Sequence, residues 1–217
     1  MRRPKGIIFD FDGVLVDTEW AIYQSWVQLY AREGQEISIA TYSPCLGAGY
    51  SHWNPAEHLE KLTGKKYDWD VETPARQAVL EADLARSGLM DGALELLDWC
   101  KEQGIGLTVA SSSSRRWVQG WLERLGVYER FDGVFTRTDG YAVKPEPALF
   151  LAAQQCLQLA KEDCLIVEDS ENGTISAGNA GIACVAIPNR MTESCNLSRA
   201  QYRLPSLRHL LKALQEG

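Results

Sequence analysis

The chain has 217 residues, of which 45% are hydrophobic and 24% are charged, and its formal net charge at pH 7 is -7. This composition is typical of a globular protein and excludes a disordered one. The negative charge argues against a nucleic-acid partner, because surfaces that bind nucleic acids are basic. No apolar run reaches the roughly 18 residues that a membrane-spanning helix needs, so we expect no membrane partner. Six cysteines without a CxxC spacing predict reduced thiols and a cytoplasmic location.

The first predicted strand, Ile7-Ile8-Phe9, ends in two acids, Asp10 and Asp12, within the run DFDGVLVDT. On a nearly extended backbone, side chains two residues apart point to the same side of a sheet. Two carboxylates at about 4 Å repel by roughly 4 kcal/mol at an effective dielectric near 20, so we expect a cation beside them. One acid could attack phosphorus while the other handles the proton. The alternative is an Asp-Gly turn that simply ends the strand.

The segment that follows is predicted to be helical and to contain no strand. We predict helices over about 20–33, 55–63 and 74–87, the last opened by Thr73-Pro74 and closed by Gly88. Because this segment leaves directly after the acidic pair, it should lie over the carboxyl ends of the strands, where open parallel sheets bind ligands. It therefore predicts a cap over residues 18–88.

Tryptophans and histidines are concentrated in this predicted cap. We expect the tryptophans to fill its small core, with a sugar-stacking shelf as the alternative, and the histidines of the chain to have structural or surface roles. The residues concerned are Trp20, Trp26, Trp53 and Trp69, and His52, His58 and His209.

From about residue 92 the chain alternates between helical and strand patterns, which predicts a parallel sheet covered by helices on both faces. Together with residues 1–17, residues 89–217 should form this α/β core. A last amphipathic helix should follow Ser206 as its N-cap. The predicted strands cover 107–110, 133–136, 165–167 and 183–187, with a helix over about 146–159.

Polar groups follow three of these strands. The serines of 111–114 precede a helix, and a helix N-terminus with free backbone N–H groups can bind phosphoryl oxygens. Lys144 precedes Pro145, which favours an extended backbone there, and Glu168-Asp169 form a second acidic pair. Oxygen ligands of this kind suit Mg²⁺ better than zinc. The alternatives are an ordinary helix cap, a solvated lysine and an acidic turn.

With these residues the chain resembles the haloacid dehalogenase (HAD) superfamily, and within it the subgroup of phosphatases and beta-phosphoglucomutase-like proteins. The DxDGVLxDT run, the serine that ends the second strand, Lys-Pro-x-Pro and Glu-Asp-Ser match its four motifs in order. The resemblance covers nearly the whole chain and implies a Rossmann-like core with an inserted helical cap. It implies a phosphatase that acts on a small phosphorylated metabolite.

The resemblance also implies catalytic roles for individual residues. Asp10 would be the nucleophile that forms an aspartyl-phosphate, and Asp12 the acid for the leaving group and then the base for water. Ser111 and the backbone N–H of Ser112 would bind the phosphoryl oxygens, and Lys144 would neutralise charge on the nucleophile and the phosphate.

A metal site and a hinge follow from the same resemblance. Mg²⁺ would be held by Asp10, the backbone carbonyl of Asp12 and Asp169, with Glu168 as a direct ligand or one shell further out. Asp17-Thr18 would be the hinge of the cap.

The chain departs from the subgroup's mutases in the first loop of the cap, which distinguishes phosphatase from mutase activity. Mutases resemble one another in a basic residue in the first cap loop, where this chain has Gly-Ala-Gly-Tyr-Ser at 47–51. Its lack of a cation favours hydrolysis over the alternative, a phosphosugar mutase. Arg115 or Arg116 could still anchor a second anion, or be a solvated helix arginine.

A phospho-aspartate receiver or a binding protein is a remote alternative function. The sequence leaves the oligomeric state open and is compatible with a monomer.

Overall fold

The computed structural model describes residues 1–51, 53–85 and 87–217, so the expectation for His52 lies outside the described residues. Six parallel strands form one sheet in the order β3-β2-β1-β4-β5-β6. They are β1 (Gly6–Phe9), β2 (Gly106–Ser111), β3 (Gly133–Thr136), β4 (Cys164–Glu168), β5 (Ala183–Ala186) and β6 (Tyr202–Arg203). The four predicted later strands are confirmed. The edge strand β6 was not predicted, because its two residues are exposed and carry no apolar pattern.

Helices surround this sheet and fill the segment between β1 and β2. None of the described helices is long and apolar enough to cross a membrane. In chain order the helices are α1 (Thr18–Arg32), α2 (Ile39–Tyr42), α3 (Pro55–Thr63), α4 (Trp69–Leu84), α5 (Ala93–Glu102), α6 (Arg115–Arg124), α7 (Ala148–Leu157), α8 (Glu171–Ala180) and α9 (Leu207–Gln215).

Apolar side chains form a core layer on each face of the sheet. In β1 the side chains of Ile7 and Phe9 join one layer and that of Ile8 the other, as the two-residue period of a strand requires. Helices α5, α6 and α9 cover the first layer, while α7 and α8 cover the second. Ser206 caps α9 as predicted, accepting a hydrogen bond from the His209 N–H. The predicted Rossmann-like parallel sheet with helices on both faces is confirmed.

A third apolar cluster belongs to the predicted cap. Trp26 is buried in it, with Trp20, Trp53 and Trp69 packed against it, as expected of a small helical unit. His58 also lies here, with its Nδ1 atom 3.0 Å from the Tyr30 hydroxyl. The division into a core of 1–17 and 89–217 and a cap of 18–88 stays a prediction.

The predicted start of the last cap helix is wrong. Helix α4 begins at Trp69, capped by the Asp68 carboxylate, and Pro74 lies inside it. The start is fixed by Trp69, whose indole N–H donates to Glu60 and whose ring packs on Trp26. Its C-terminal limit also differs, because the helix ends at Leu84 rather than at Gly88.

The two segments that connect the helical region to the sheet lie side by side. Val16 and Leu89 form an antiparallel bridge, and the Met90 N–H donates to the Leu15 carbonyl at 2.9 Å. The helical segment therefore leaves the sheet and returns to it at neighbouring points.

Candidate active site

Asp10 and Lys144 meet at the carboxyl edge of the sheet. Asp10 follows β1, where its backbone N–H donates to the Val167 carbonyl, and its side chain is buried. Lys144 Nζ donates to Asp10 Oδ1 at 2.5 Å and to Glu168 Oε1 at 2.6 Å. The lysine and the aspartate are 134 residues apart in sequence. They meet because the carboxyl ends of the parallel strands lie at the same edge of the sheet.

The Lys144 side chain is fully buried, and its ammonium lies 4.7 Å from the centroid of the Phe150 ring. Burial alone would lower the pKa of Lys144, but the carboxylates of Asp10 and Glu168 raise it above its usual value. The lysine is therefore held as a cation in a place where an unpaired charge would be costly.

Glu168 ends β4 and uses both carboxylate oxygens. While Oε1 accepts from Lys144, Oε2 accepts from the backbone N–H groups of Asp169 and Ser170 at 2.7 and 2.8 Å. A Cβ atom at Gly173 would lie 1.8 Å from the Glu168 carboxyl carbon, so only glycine leaves room for this group. Glu168 thus holds Lys144 and the turn into α8.

Asp169 is oriented by a residue that the sequence did not reveal. Asn189, in the loop after β5, donates through its side-chain amide to Asp169 Oδ2 at 2.8 Å and to the Gly13 carbonyl at 3.0 Å. Gly13 has a φ of +82°, and a Cβ there would lie 2.5 Å from the same Asp169 oxygen. The Asp169 carboxylate is therefore fixed against the loop that carries Asp10 and Asp12.

Oxygen atoms of Asp10, Glu168 and Asp169, all buried, lie within 4.8 Å of one another. Burial raises the pKa of Asp10 to about 8, with Lys144 opposing and Glu168 and Asp12 adding to the rise. Burial likewise raises the pKa of Asp169. Three carboxyl groups around one lysine leave excess negative charge, which an oxygen-binding divalent cation would offset.

The Asp12 carboxylate accepts four hydrogen bonds. The donors are the hydroxyl groups of Thr18 (2.5 Å), Ser113 (2.6 Å) and Ser111 (3.3 Å) and the indole N–H of Trp117 (2.9 Å). Of these only Ser111 was predicted as a site residue, while Thr18 was expected as part of the hinge. The sequence signal that could have identified Ser113 and Trp117 as site residues is a run of serines before α6, followed by a tryptophan in the first turn of that helix.

The serine run after β2 turns towards the same place. The Ser111 hydroxyl accepts from the Ser113 N–H at 3.0 Å, and that of Ser112 accepts from the Lys144 N–H at 3.3 Å. Ser114 is the N-cap of α6, and its side chain accepts from the Trp117 N–H. The predicted phosphate ligands Ser111 and Ser112 therefore lie beside both predicted catalytic acids.

The structure places Arg115 against other partners, and its role as an anion anchor stays a prediction. Its guanidinium forms two hydrogen bonds of 2.8 Å with Asp139 and another with the Val134 carbonyl. The Arg115 side chain is therefore bound to β3 and to the turn after it. Arg116 is exposed.

Two adjoining cavities open at the site. A catalytic cavity of about 110 Å³ is lined by Asp10, Asp12, Ser111 and Ser112, and by Glu19 of α1. Burial raises the pKa of Glu19, and the carboxylates of Asp12 and Asp10 add to the rise. A larger outer cavity, of about 560 Å³, continues from it between the cap and the sheet.

Comparison with known proteins agrees with this geometry. Residues 7–187 match the family model "Haloacid dehalogenase-like hydrolase". The chain belongs to this family. It is 32% identical over 210 residues to "Putative phosphatase YhcW" of Bacillus subtilis (strain 168), covering 97% of this chain and 95% of that one. Family membership and the relatives named as phosphatases make it a phosphoric monoester hydrolase of the HAD type.

Two further proteins are similar to this chain over most of their length. Validoxylamine A 7'-phosphate phosphatase of Streptomyces hygroscopicus subsp. limoneus is 27% identical, covering 84% of this chain and 85% of that one. The crystal structure of beta-phosphoglucomutase from Clostridium difficile superposes with a TM-score of 0.74 at 22% identity, covering 98% of this chain and 96% of that one. At 22% identity, the similarity to beta-phosphoglucomutase shows a shared fold and no more.

Proposed function

We propose that this protein is a Mg²⁺-dependent phosphatase that hydrolyses a small phosphorylated metabolite, a sugar phosphate, through an aspartyl-phosphate on Asp10. The observation that carries the proposal is the buried lysine Lys144, whose ammonium lies 2.5 Å from an Asp10 oxygen and 2.6 Å from a Glu168 oxygen. Asp10 itself lines the catalytic cavity together with Asp12. Such a cation offsets the charge of a nucleophilic carboxylate and an incoming phosphate together.

Asp10 is the nucleophile in this proposal. Its carboxylate oxygen attacks phosphorus, the bond from phosphorus to the ester oxygen breaks, and Asp12 gives the leaving oxygen its proton. Asp12 then takes a proton from the water whose oxygen attacks phosphorus, the bond from phosphorus to the Asp10 oxygen breaks, and inorganic phosphate leaves with the Asp10 carboxylate restored. Ser111 and the Ser112 N–H supply donors for the phosphoryl oxygens.

The donor set fits Mg²⁺, since Asp10, Asp169 and Glu168 offer only carboxylate oxygens from a buried cluster. We expect Asp10, Asp169 and the backbone carbonyl of Asp12 to hold the ion. Glu168 is better placed to support them, because its oxygens already accept from Lys144 and two backbone N–H groups. A bound Mg²⁺ would supply charge stabilisation at the phosphoryl oxygens.

The substrate class is supported by the cap and by one relative. Open parallel sheets bind ligands at the edge where these acids lie, and the helical segment above it leaves room for a small metabolite. Validoxylamine A 7'-phosphate, named for the Streptomyces relative, is a phosphate ester of a small molecule. Loop 47–51 contains no basic residue, which favours hydrolysis over phosphosugar mutase action.

Phosphate release from a panel of sugar phosphates tests this proposal. We expect Asp10→Asn to reduce turnover below about 1% of wild type, because losing a nucleophile that acts in a unit is rarely partial. Asp98→Asn, at an exposed acid paired with Arg130, is the matched control and should retain full activity. A folded Asp10→Asn protein that hydrolyses at a tenth of the wild-type rate would falsify the assignment.

Chelation tests the metal in the same assay. Exhaustive chelator should abolish phosphate release, and Mg²⁺ should restore it better than Ca²⁺, which prefers more ligands at longer distances. Undiminished activity in chelator contradicts the metal. Isomerised sugar phosphate in large excess over free phosphate, accelerated by a bisphosphate primer, would instead identify a mutase.

A further inference from the structure

The outer cavity is placed to receive the part of the substrate that does not react. It shares part of its lining with the catalytic cavity, so the two are continuous. A phosphate ester with phosphorus at Asp10 must extend its leaving group through this opening. The residues common to both cavities are Ile22, Gly49, Tyr50, Ser112 and Ser113.

The two cavities differ in the sign of their charge. Asp10, Asp12 and Glu19 line the catalytic cavity, whereas Arg76 and Arg137 line the outer one. Among the described residues, no acid lines the outer cavity and no base lines the catalytic one. A molecule that spans both therefore meets positive charge at its far end.

Arg76, on α4, is held in position without a counter-ion. Its Nη1 donates to the buried Ser25 hydroxyl at 2.9 Å, and its guanidinium lies 4.4 Å from the centroid of the Trp26 ring. Within the described part of the chain it has no carboxylate partner, unlike Arg32 of the same helical segment, which pairs with Glu72. A half-buried, oriented and unpaired guanidinium is suited to a bidentate anion.

Arg137 reaches the cavity from the opposite side. It follows β3 at the carboxyl edge of the sheet, and its backbone N–H donates to the Ser113 carbonyl at 3.3 Å. Its exposed side chain also lacks a carboxylate partner among residues 1–51, 53–85 and 87–217. One arginine from the cap segment and one from the sheet therefore face the same space.

We propose that the outer cavity is an anion subsite, so that the preferred substrate is a phosphate monoester whose leaving group carries a carboxylate or a second phosphate. This rests on the proposed phosphatase function and narrows its substrate class. The positive charge comes from α4 and the β3 turn rather than from loop 47–51.

Matched substrates test the subsite. Glucose 6-phosphate has an uncharged leaving group, 6-phosphogluconate adds a carboxylate, and glucose 1,6-bisphosphate adds a phosphate. We expect kcat/KM to be at least about 10-fold higher for one or both charged esters, as a charge-assisted hydrogen bond implies. Comparing the two charged esters distinguishes a carboxylate subsite from a phosphate subsite.

Variants then assign the preference to the arginines. Arg76→Gln and Arg137→Gln should each lower kcat/KM for the charged ester by about 10- to 100-fold while changing that for glucose 6-phosphate less than about 3-fold. Arg76→Lys should recover part of the loss, and Arg32→Gln, at the paired cap arginine, should leave both values unchanged. Equal losses on charged and uncharged esters, or no preference in the wild type, overturn the subsite.

Binding separates this inference from the proposed function. Calorimetry on the Asp10→Asn protein with Mg²⁺ measures the affinity for the same three compounds without turnover. Tighter binding of a charged ester, lost in the Asp10→Asn/Arg76→Gln double variant, supports the subsite even if no ester is hydrolysed. Equal affinities reject it even if the protein proves to be a phosphatase.

Discussion

The hydrogen-bond partners of Asp12 could not be predicted from the DxDGVLxDT motif that contains it. Its place in the motif predicts an acid and base, but the structure shows it bound by three hydroxyl groups and the Trp117 indole. Trp117 also lines the outer cavity, so one side chain touches both the acid and the space for the leaving group. It is a positioning residue for Asp12.

Trp117→Phe replaces the indole by a smaller aromatic ring and removes the N–H donor. We expect kcat to fall about 10-fold, the equivalent of one hydrogen bond to a charged group, with KM changed less than about 2-fold. Trp99→Phe, at a half-buried tryptophan stacked with Arg3, is the control and should behave as wild type. If KM rises while kcat is unchanged, Trp117 acts on substrate binding and not on Asp12.

The residues that the sequence revealed are those with a local signature. Asp10 and Asp169 directly follow strands and Lys144 lies in the loop after β3, each within a short motif, and the parallel sheet brings them together. Asn189 reaches the site from the loop after β5, and nothing in its own neighbourhood marks it. Trp117 lies in the first turn of α6, where the preceding serines are the only local signal. Their contacts depend on tertiary packing that no periodicity encodes.

Helix α8 depends on a single glycine at its N-terminal turn. Gly173→Ala would place a Cβ atom 1.8 Å from the Glu168 carboxyl carbon and displace the partner of Lys144. We expect the free energy of unfolding to fall by about 3 kcal/mol, as overpacking and disruption of a buried ion pair imply, and phosphatase activity to be lost. Chemical denaturation measures the change.

The same helix provides the control. A Cβ atom at Gly178 would meet no atom within 4 Å outside its chain neighbours and the backbone of its own helix, so Gly178→Ala should raise the free energy of unfolding by about 0.5 to 1 kcal/mol through helix propensity. Equal effects of the two substitutions would show that the close approach at Gly173 is not limiting.

Among the elements, those with strong patterns were predicted and those fixed by packing were not. Helix α3 (Pro55–Thr63) agrees with its prediction because Pro55 and Gly64 mark its ends locally. Helix α4 begins five residues before the expected Pro74, because Asp68 supplies a cap and Trp69 a tertiary anchor. Proline is an unreliable start signal when packing extends the helix ahead of it.

At the scale of the whole molecule, the loop after β5 joins the sheet to the helical segment. Asn189 binds Asp169, Arg190 binds Asp17 at 2.5 Å and stacks on Trp20 at 4.1 Å, and Met191 is buried in the apolar cluster of the cap. Consecutive residues thus contact a predicted metal ligand, the predicted hinge and the cap core.

Arg190→Gln removes the ion pair at the hinge. Because both side chains are partly exposed, we expect the melting temperature to fall by no more than about 3 °C. We expect kcat/KM to fall more clearly than stability, because we infer that this ion pair orients the cap segment over the acids. Arg203→Gln, at an exposed pair with Glu193, is the control, and its activity should be unchanged. Unaltered kcat/KM in Arg190→Gln would show that this contact does not orient the cap.

The separation in sequence between Asp10 and its lysine has a consequence for how the chain acquires activity. The partners are 134 residues apart, and Asp12 and Trp117 are 105 apart, so the site consists of contacts that form only when distant strands pair. Such non-local contacts make folding slow relative to local helix formation. During refolding from denaturant, helical circular dichroism should therefore recover before phosphate release does. A chain still emerging from a ribosome would carry its nucleophile from the start and remain inactive until strand β4 had joined the sheet.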